Sequence, residues 1–305
     1  MSLRNNLISL ISKNEKLYIV IKQVRLKTLM KLGKLIPDKL YITLQYRLRL
    51  GKKLNLKKPT LFNEKIQYAK LYYRNPDLRK LVDKYEVRSF VREKIGDKYL
   101  TKLYGVYDSV NEIPFEALPD KFVMKLTNGS SYNYICKKKD ENTKKEIEYR
   151  FKKWMSVDFY MLGREWAYKN VKNRIICEEL LETEGNEGLN DYKIFCFNGV
   201  PKIIQVDFSR FVNHQRNFYT PNWDFINEVV EYENDPNANI PKPTNLDEML
   251  ECAKVLSKGF PQVRVDFYDV DGRIVFGEMT FYHGAGYLHF RNPKFELKMG
   301  DYWDV

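Results

Sequence analysis

Residues 263–281 read VRVDFYDVDGRIVFGEMTF, and the parity of their charged positions decides how the chain is understood. Val263, Val265 and Phe267 alternate with Arg264 and Asp266. One strand face is therefore apolar and the other charged, as period-2 side-chain geometry requires. Ile274 to Met279 is the returning strand and carries Glu278. Asp266 and Glu278 are hard oxygen donors suited to Mg²⁺, and Arg264 beside them suits an anion. Whether they meet depends on the turn. A two-residue turn at Asp271-Gly272 predicts opposite faces, whereas a three-residue loop Val270-Asp271-Gly272 with a bulge predicts one shared face. The three-residue loop is the expectation. The same pattern also suits an exposed hairpin face with a surface Arg–Asp pair.

Outward from this hairpin the texture is α+β. Residues 1–57 read as basic helices, and residues 58–105 continue helical. Strands are expected at Phe122–Leu126, at Tyr134–Cys136, from Arg174 to Leu181, and on either side of an Asn198-Gly199 hairpin turn. Asn245 and Glu248 suggest a capping box opening the helix over Leu246, Met249, Leu250, Ala253 and Leu256. The domain reading is a basic arm (1–57), a helical region (58–120), a small lobe (121–181) and a large lobe (182–305).

The 305-residue chain has 52 Lys+Arg against 40 Asp+Glu, a formal net charge of +12. Residues 1–60 hold 15 bases and 2 acids, leaving 37 bases and 38 acids for the remainder. The basicity thus belongs to the arm, and nucleic acid is not the expected partner of the body. A hydrophobic share of 44% excludes a disordered chain. The longest apolar run near the N-terminus, Leu17–Ile21, is far short of a spanning helix. No signal-peptide pattern is read. The 4 cysteines are scattered without a CxxC pair, which fits a reduced, cytoplasmic setting. With 3 histidines, a three-histidine metal site is not expected.

Other polar positions invite chemistry. Lys125 is followed by Gly129-Ser130-Ser131, small residues that let backbone N–H groups approach a polyphosphate, though the sequence is not a Walker A loop. The stretch Glu178-Glu179-Leu180-Leu181 resembles a hinge that could offer backbone and carboxylate groups to a nucleoside. Arg210, His214 and Arg216 suit an anionic substrate. His283 lies in a Gly-rich turn, His283-Gly284-Ala285-Gly286. In isolation an ordinary polar turn accounts better for the first, a strand end better for the second, and a solvated loop as well for the third.

Their order is more specific. Asp83-Lys84, Lys125 with its small-residue turn, the Glu-Glu-Leu-Leu hinge, Asp191-Tyr192-Lys193, Arg264-x-Asp266 and Glu278 together resemble the ATP-grasp superfamily. Phe62-Asn63-Glu64-Lys65, Leu162-Gly163-Arg164-Glu165-Trp166, Asp191 to Gly199 and Gly277 to Phe281 are similar to its TupA-like branch. The resemblance implies an ATP-grasp fold of two α+β lobes with ATP between them. It implies Lys84 and Lys125 on ATP phosphates under the Gly129-Ser130-Ser131 turn. Glu178, Glu179 and Leu181 would line the adenosine, Lys193 would face the cleft, and Asp266 and Glu278 would hold Mg²⁺ with Arg264 on the transferring phosphoryl group. Many such enzymes carry Asn where this chain has Thr280, whose hydroxyl is assigned to the metal set. Arg210, His214, Arg216 and His283 are assigned to substrate.

The activity implied is an ATP-dependent carboxylate–amine ligase of cell-surface polysaccharide synthesis, joining a uronic acid or anionic polysaccharide to an amino acid or amine. A glycosyltransferase is the first alternative, with Asp269-Val270-Asp271 as its DxD letters. A non-catalytic membrane-surface module is the second. The arm would hold the protein against the inner face of the membrane.

Overall fold

The computed structural model describes residues 33–183, 189–209, 214–238 and 240–305. Most of the basic arm, and Arg210, lie outside the described residues. Helix α1 (Asp38–Leu50) ends at Gly51, whose left-handed backbone (φ 68°) closes it. Helix α2 spans Phe62–Tyr72, followed by the short α3 (Leu78–Leu81) and α4 (Val87–Lys94). Strand β1 (Leu103–Tyr107) then interrupts the region read as helical. Next come β2 (Phe122–Leu126), β3 (Asn133–Cys136), α5 (Glu141–Trp154), α6 (Phe159–Gly163) and β4 (Ile175–Glu178).

Strands β1–β4 form one antiparallel sheet in the order β1-β4-β2-β3. The small lobe therefore includes β1, which the boundary at 121 leaves out. Phe122, Met124, Leu126, Ile175 and Cys177 alternate onto one face and pack with Ile147 and Phe151 of α5. The alternate residues Lys125, Ile176 and Glu178 face the other way, since directly paired strand residues share a face.

The second sheet has six strands: β5 (Asp191–Phe197), β6 (Val200–Phe208), β7 (Gln215–Tyr219), β8 (Phe225–Ile226), β9 (Gln262–Val270) and β10 (Arg273–Thr280). Their order is β10-β9-β5-β6-β7-β8, all antiparallel. Helix α7 (Leu246–Ser257) covers the face carrying Ile194, Cys196, Val263, Val265 and Phe267, and the Cys196 thiol approaches the Ala253 carbonyl. The opposite face is aromatic at one end, where Phe62 of α2 meets Phe195 and Phe197 edge-on. At the other end it is charged. Helix α8 (Pro293–Asp301) closes the described chain against α2. The α+β expectation holds.

Two local expectations are corrected. The β9–β10 turn has two residues, not three: Val270 pairs with Arg273, and Asp271 and Gly272 take φ of 51° and 86°. Asp266 and Glu278 nevertheless share a face, because β10 bulges at Gly277 and places Glu278 opposite Asp266. The extra residue shifts parity along the strand rather than at its tip. A Cβ on Gly277 would sit 3.2 Å from the Asp266 carbonyl oxygen, so the close approach selects glycine. The capping box does not form. Asn245 makes no side-chain cap, and Glu248 instead accepts from Lys98 (2.7 Å) and Tyr99 (2.6 Å).

Candidate active site

The charged end of the large sheet is built by alternation on five adjacent strands. Lys193 on β5 pairs in register with Asp266 on β9 and Gln205 on β6, while Asp191 pairs with Asp207. Arg216 on β7 pairs with Asp207, and Thr280 on β10 pairs with Arg264. All of these point to one face. Arg264 donates a fork to Asp266 (Nε to Oδ1 2.7 Å, Nη2 to Oδ2 2.5 Å), and the same Nη2 reaches Glu278 Oε1 at 2.9 Å. Both carboxylates thus sit on one nitrogen. Thr280 takes part as well: its hydroxyl donates to Glu278 Oε1 and accepts from Arg264, each at 3.1 Å. Lys193 Nζ contacts Asp191 and lies 3.3 Å from Asp207 and 3.8 Å from Asp266.

Burial raises Asp266 to about 7, with Glu278 and Asp191 adding to the push and Arg264 and Lys193 opposing it. Burial also acts on Glu278, but Lys84, Arg264 and Lys193 outweigh it and hold that carboxyl at about 2. The fork geometry at Asp266 is that of a carboxylate, and a cation beside the pair would relieve the crowding. Among the described residues no group of three or more His, Cys, Asp or Glu gathers for a metal. Two carboxylate donors still fit Mg²⁺, which is commonly held by one or two carboxylates and completed by water and substrate phosphate.

The small sheet supplies the opposing charge. The Lys84 backbone N–H donates to the Thr127 carbonyl (2.6 Å) and its ammonium to the Gly129 carbonyl (2.7 Å), so residue 84 is docked on the turn after β2. Burial lowers the Lys84 pKa. Glu278 of the large sheet opposes that more strongly than any other charge, while neighbouring Lys125 adds to it. Asp83 Oδ2, Thr127 Oγ1 and Asn128 Oδ1 are buried beside Lys84 with no hydrogen-bond partner among the described residues. Of the three only the Thr127 hydroxyl can donate, and with the lysine and the glycine turn it fits a polyphosphate ligand, whereas the Asp83 and Asn128 oxygens are acceptors. Gly129 has φ 77°, and a Cβ there would fall 2.1 Å from the Phe159 ring. Ser130 and Ser131 are exposed at the tip.

Glu178 differs from the free ribose ligand the hinge suggests. It is buried and bound by Lys125 (3.0 Å), Arg88 (2.8 Å) and Thr101. Glu179 accepts from Arg273 of β10 at 2.8 Å and so ties the sheets together. Leu181 lies just beyond, half-exposed.

The substrate assignments separate. Arg216 is buried and forked onto Asp207 (2.6 and 3.2 Å), with a third bond to the Val230 carbonyl. His214 stacks 3.8 Å from the Tyr232 ring. Buried His283 packs edge-on against Phe195, and its Nδ1 contacts Arg264. Burial and then Arg264 hold His283 well below the ordinary histidine range, so it is a neutral acceptor steadying that guanidinium. The Asp269-Val270-Asp271 letters belong to the hairpin end, where Asp269 Oδ1 accepts the Gly272 N–H at 2.9 Å. Sequence reasoning gave no role to Asp207 or Arg88. Charged residues two apart within an apolar strand, as at Asp191-x-Lys193 and Arg264-x-Asp266, were the available signal for Asp207.

Two antiparallel sheets tied by the Glu179–Arg273 pair, with lysines on one and an Arg–carboxylate cluster on the other, make up a two-lobed α+β protein. The chain belongs to the TupA-like ATP-grasp family, whose model matches residues 64–304. No curated protein matches it. Solved structures similar to it include D-alanine–D-alanine ligase from Bacillus anthracis (16% identity, 66% of this chain and 57% of that chain, TM-score 0.40). Another is D-alanine–D-alanine ligase from Helicobacter pylori (17% identity, 79% and 69%, TM-score 0.42). A third is the N5-carboxyaminoimidazole synthetase from Staphylococcus aureus complexed with ADP (12% identity, 72% and 52%, TM-score 0.40). The chain spans little more than half the length of the Bacillus anthracis ligase. No helix among the described residues is long and apolar enough to cross a membrane.

Proposed function

We propose that the protein is an ATP-dependent carboxylate–amine ligase acting through an acyl phosphate, with a uronic acid of a cell-surface polysaccharide as donor and an amino acid or amine as acceptor. What supports this reading is that the Lys84 ammonium is fixed on the Gly129 turn at 2.7 Å, while Glu179 and Arg273 (2.8 Å) tie that sheet to the hairpin carrying Arg264, Asp266 and Glu278. In this arrangement the lysines would bring phosphate to the Arg264 cluster.

In this reading Lys84 and Lys125 neutralise ATP phosphates, and Arg264 balances charge on the phosphoryl group as it passes to the donor carboxylate. Asp266 and Glu278 would hold Mg²⁺. That ion would supply further charge neutralisation to the phosphates. His283 and Asp266 keep the Arg264 guanidinium in place from two sides. The chemistry needs no protein nucleophile.

Purified protein given Mg²⁺-ATP, D-glucuronate and a mixture of L-amino acids is expected to release ADP and phosphate only when donor and acceptor are both present. Consumption of a sugar nucleotide without ATP use would contradict this reading and favour glycosyl transfer.

A further inference from the structure

Helix α1 is fixed to the body along one side. Tyr41, Ile42 and Tyr46 are buried, and Ile42 and Tyr46 pack with Leu54 and Tyr287. The Tyr41 hydroxyl donates to the Leu162 carbonyl at 3.1 Å. The Arg164 guanidinium lies 4.6 Å over the Tyr41 ring and donates to the Gly33 carbonyl at 2.5 Å, which anchors the entry to the helix.

The other side carries leucine. Leu40, Leu44 and Leu48 are 52%, 47% and 77% exposed, and Leu35 just before the helix is 84% exposed. Residues four apart on a helix drift by only about 40° per step, so the three leucines form one stripe. A single exposed leucine is ordinary, but a row of them is an interaction surface.

Charge decides what the stripe meets. Residues 33–58 hold 8 Lys/Arg and 1 acid. That acid, Asp38, is taken up internally: it accepts from the Tyr160 hydroxyl and lies 3.5 Å from Arg164. All 8 bases are exposed. Lys34 and Lys39 stand where the stripe begins, Arg47 beside Leu48, and Lys52 and Lys53 just past the helix end. Residues 1–32 repeat this composition, with 7 bases and 1 acid, and join at Gly33. A second copy would set like charges against each other. A soluble polyanion would satisfy the bases and leave the leucines in water. A bilayer containing anionic phospholipid satisfies both: leucines enter the acyl boundary while Lys and Arg keep their charges at the headgroups.

We propose that α1 lies on an anionic phospholipid bilayer, with Leu40, Leu44 and Leu48 inserted and the flanking bases on lipid phosphate. Such docking is independent of the reaction the site performs. It would also orient that site, because α1 packs on Tyr287, which follows the His283–Gly286 turn in contact with Arg264.

The test is co-sedimentation of the full chain with vesicles of phosphatidylcholine, alone or mixed with phosphatidylglycerol. Wild-type protein is expected to sediment with the mixed vesicles and to stay in solution with phosphatidylcholine alone. The combined variant Leu40→Gln, Leu44→Gln, Leu48→Gln should bind the mixed vesicles at least about tenfold more weakly. The combined variant Lys39→Glu, Arg47→Glu should weaken binding about tenfold at low salt and by less as salt rises. The two variants alter different exposed side chains, so loss of fold in one, read from its denaturation midpoint, leaves the other to decide. Equal binding by wild type and the leucine variant overturns the assignment, since the bases would then act without the stripe. Wild-type protein that ignores the mixed vesicles overturns it as well. So does a wild-type dimer that the leucine variant dissolves, which would make a second copy the occupant.

Discussion

Glu278→Gln is expected to lower the turnover rate about 10²–10³-fold while leaving the folded protein within about 1 kcal/mol of wild type. The separation of the two effects follows from geometry. Glu278 shares one Arg264 nitrogen with Asp266, and its side chain is 40% exposed. Loss of its charge leaves the Arg264–Asp266 fork intact, so the buried guanidinium keeps its partner. What disappears is the negative charge that shares the Arg264 nitrogen and that would hold Mg²⁺ near the phosphates. Steady-state ADP release and chemical denaturation, measured on the same preparation, check both halves.

Asp266→Asn is expected to do both kinds of damage. Asp266 and Arg264 are buried, and the carboxylate accepts both arms of the fork. Removing one member of a buried ion pair leaves an uncompensated charge, which typically costs about 3–5 kcal/mol. Glu278 remains on Nη2 and places the loss at the lower end, about 3 kcal/mol. Turnover should fall at least as far as in Glu278→Gln. Denaturation midpoints of the two variants side by side are the check. Equal stabilities would mean that Asp266 does not brace Arg264.

The sheet that carries the site was legible because its charged residues recur every second position in otherwise apolar strands. Arg264-x-Asp266 and Asp191-x-Lys193 both read as a polar face, and the register joins them. The turn was read wrongly for a physical reason. Parity can be shifted by one residue at the hairpin tip or along the strand, and Asp266 with Glu278 on one face is the result either way. Glycine inside a strand, here Gly277, was the mark of the second route. Strand β1 was missed because its order comes from pairing with β4, some 70 residues later in the chain.

Partners from distant sequence explain the other differences. Glu178 and Arg216 look like available charges on a strand end and a loop. Arg88 and Lys125 claim the first, and Asp207 claims the second. Glu248 was likewise drawn from its helix cap to Lys98 and Tyr99. His283 reads as a substrate ligand in sequence, yet its burial against Phe195 makes it a support for Arg264.

The measurement that bears most directly on the central claim follows oxygen from donor to phosphate. With D-glucuronate labelled with oxygen-18 in its carboxylate, Mg²⁺-ATP and the L-amino acid mixture, the account predicts one labelled oxygen in each phosphate released. An acyl phosphate must break at the carbon–oxygen bond to yield the amide. Phosphate carrying only solvent oxygen, with product still formed, would contradict it.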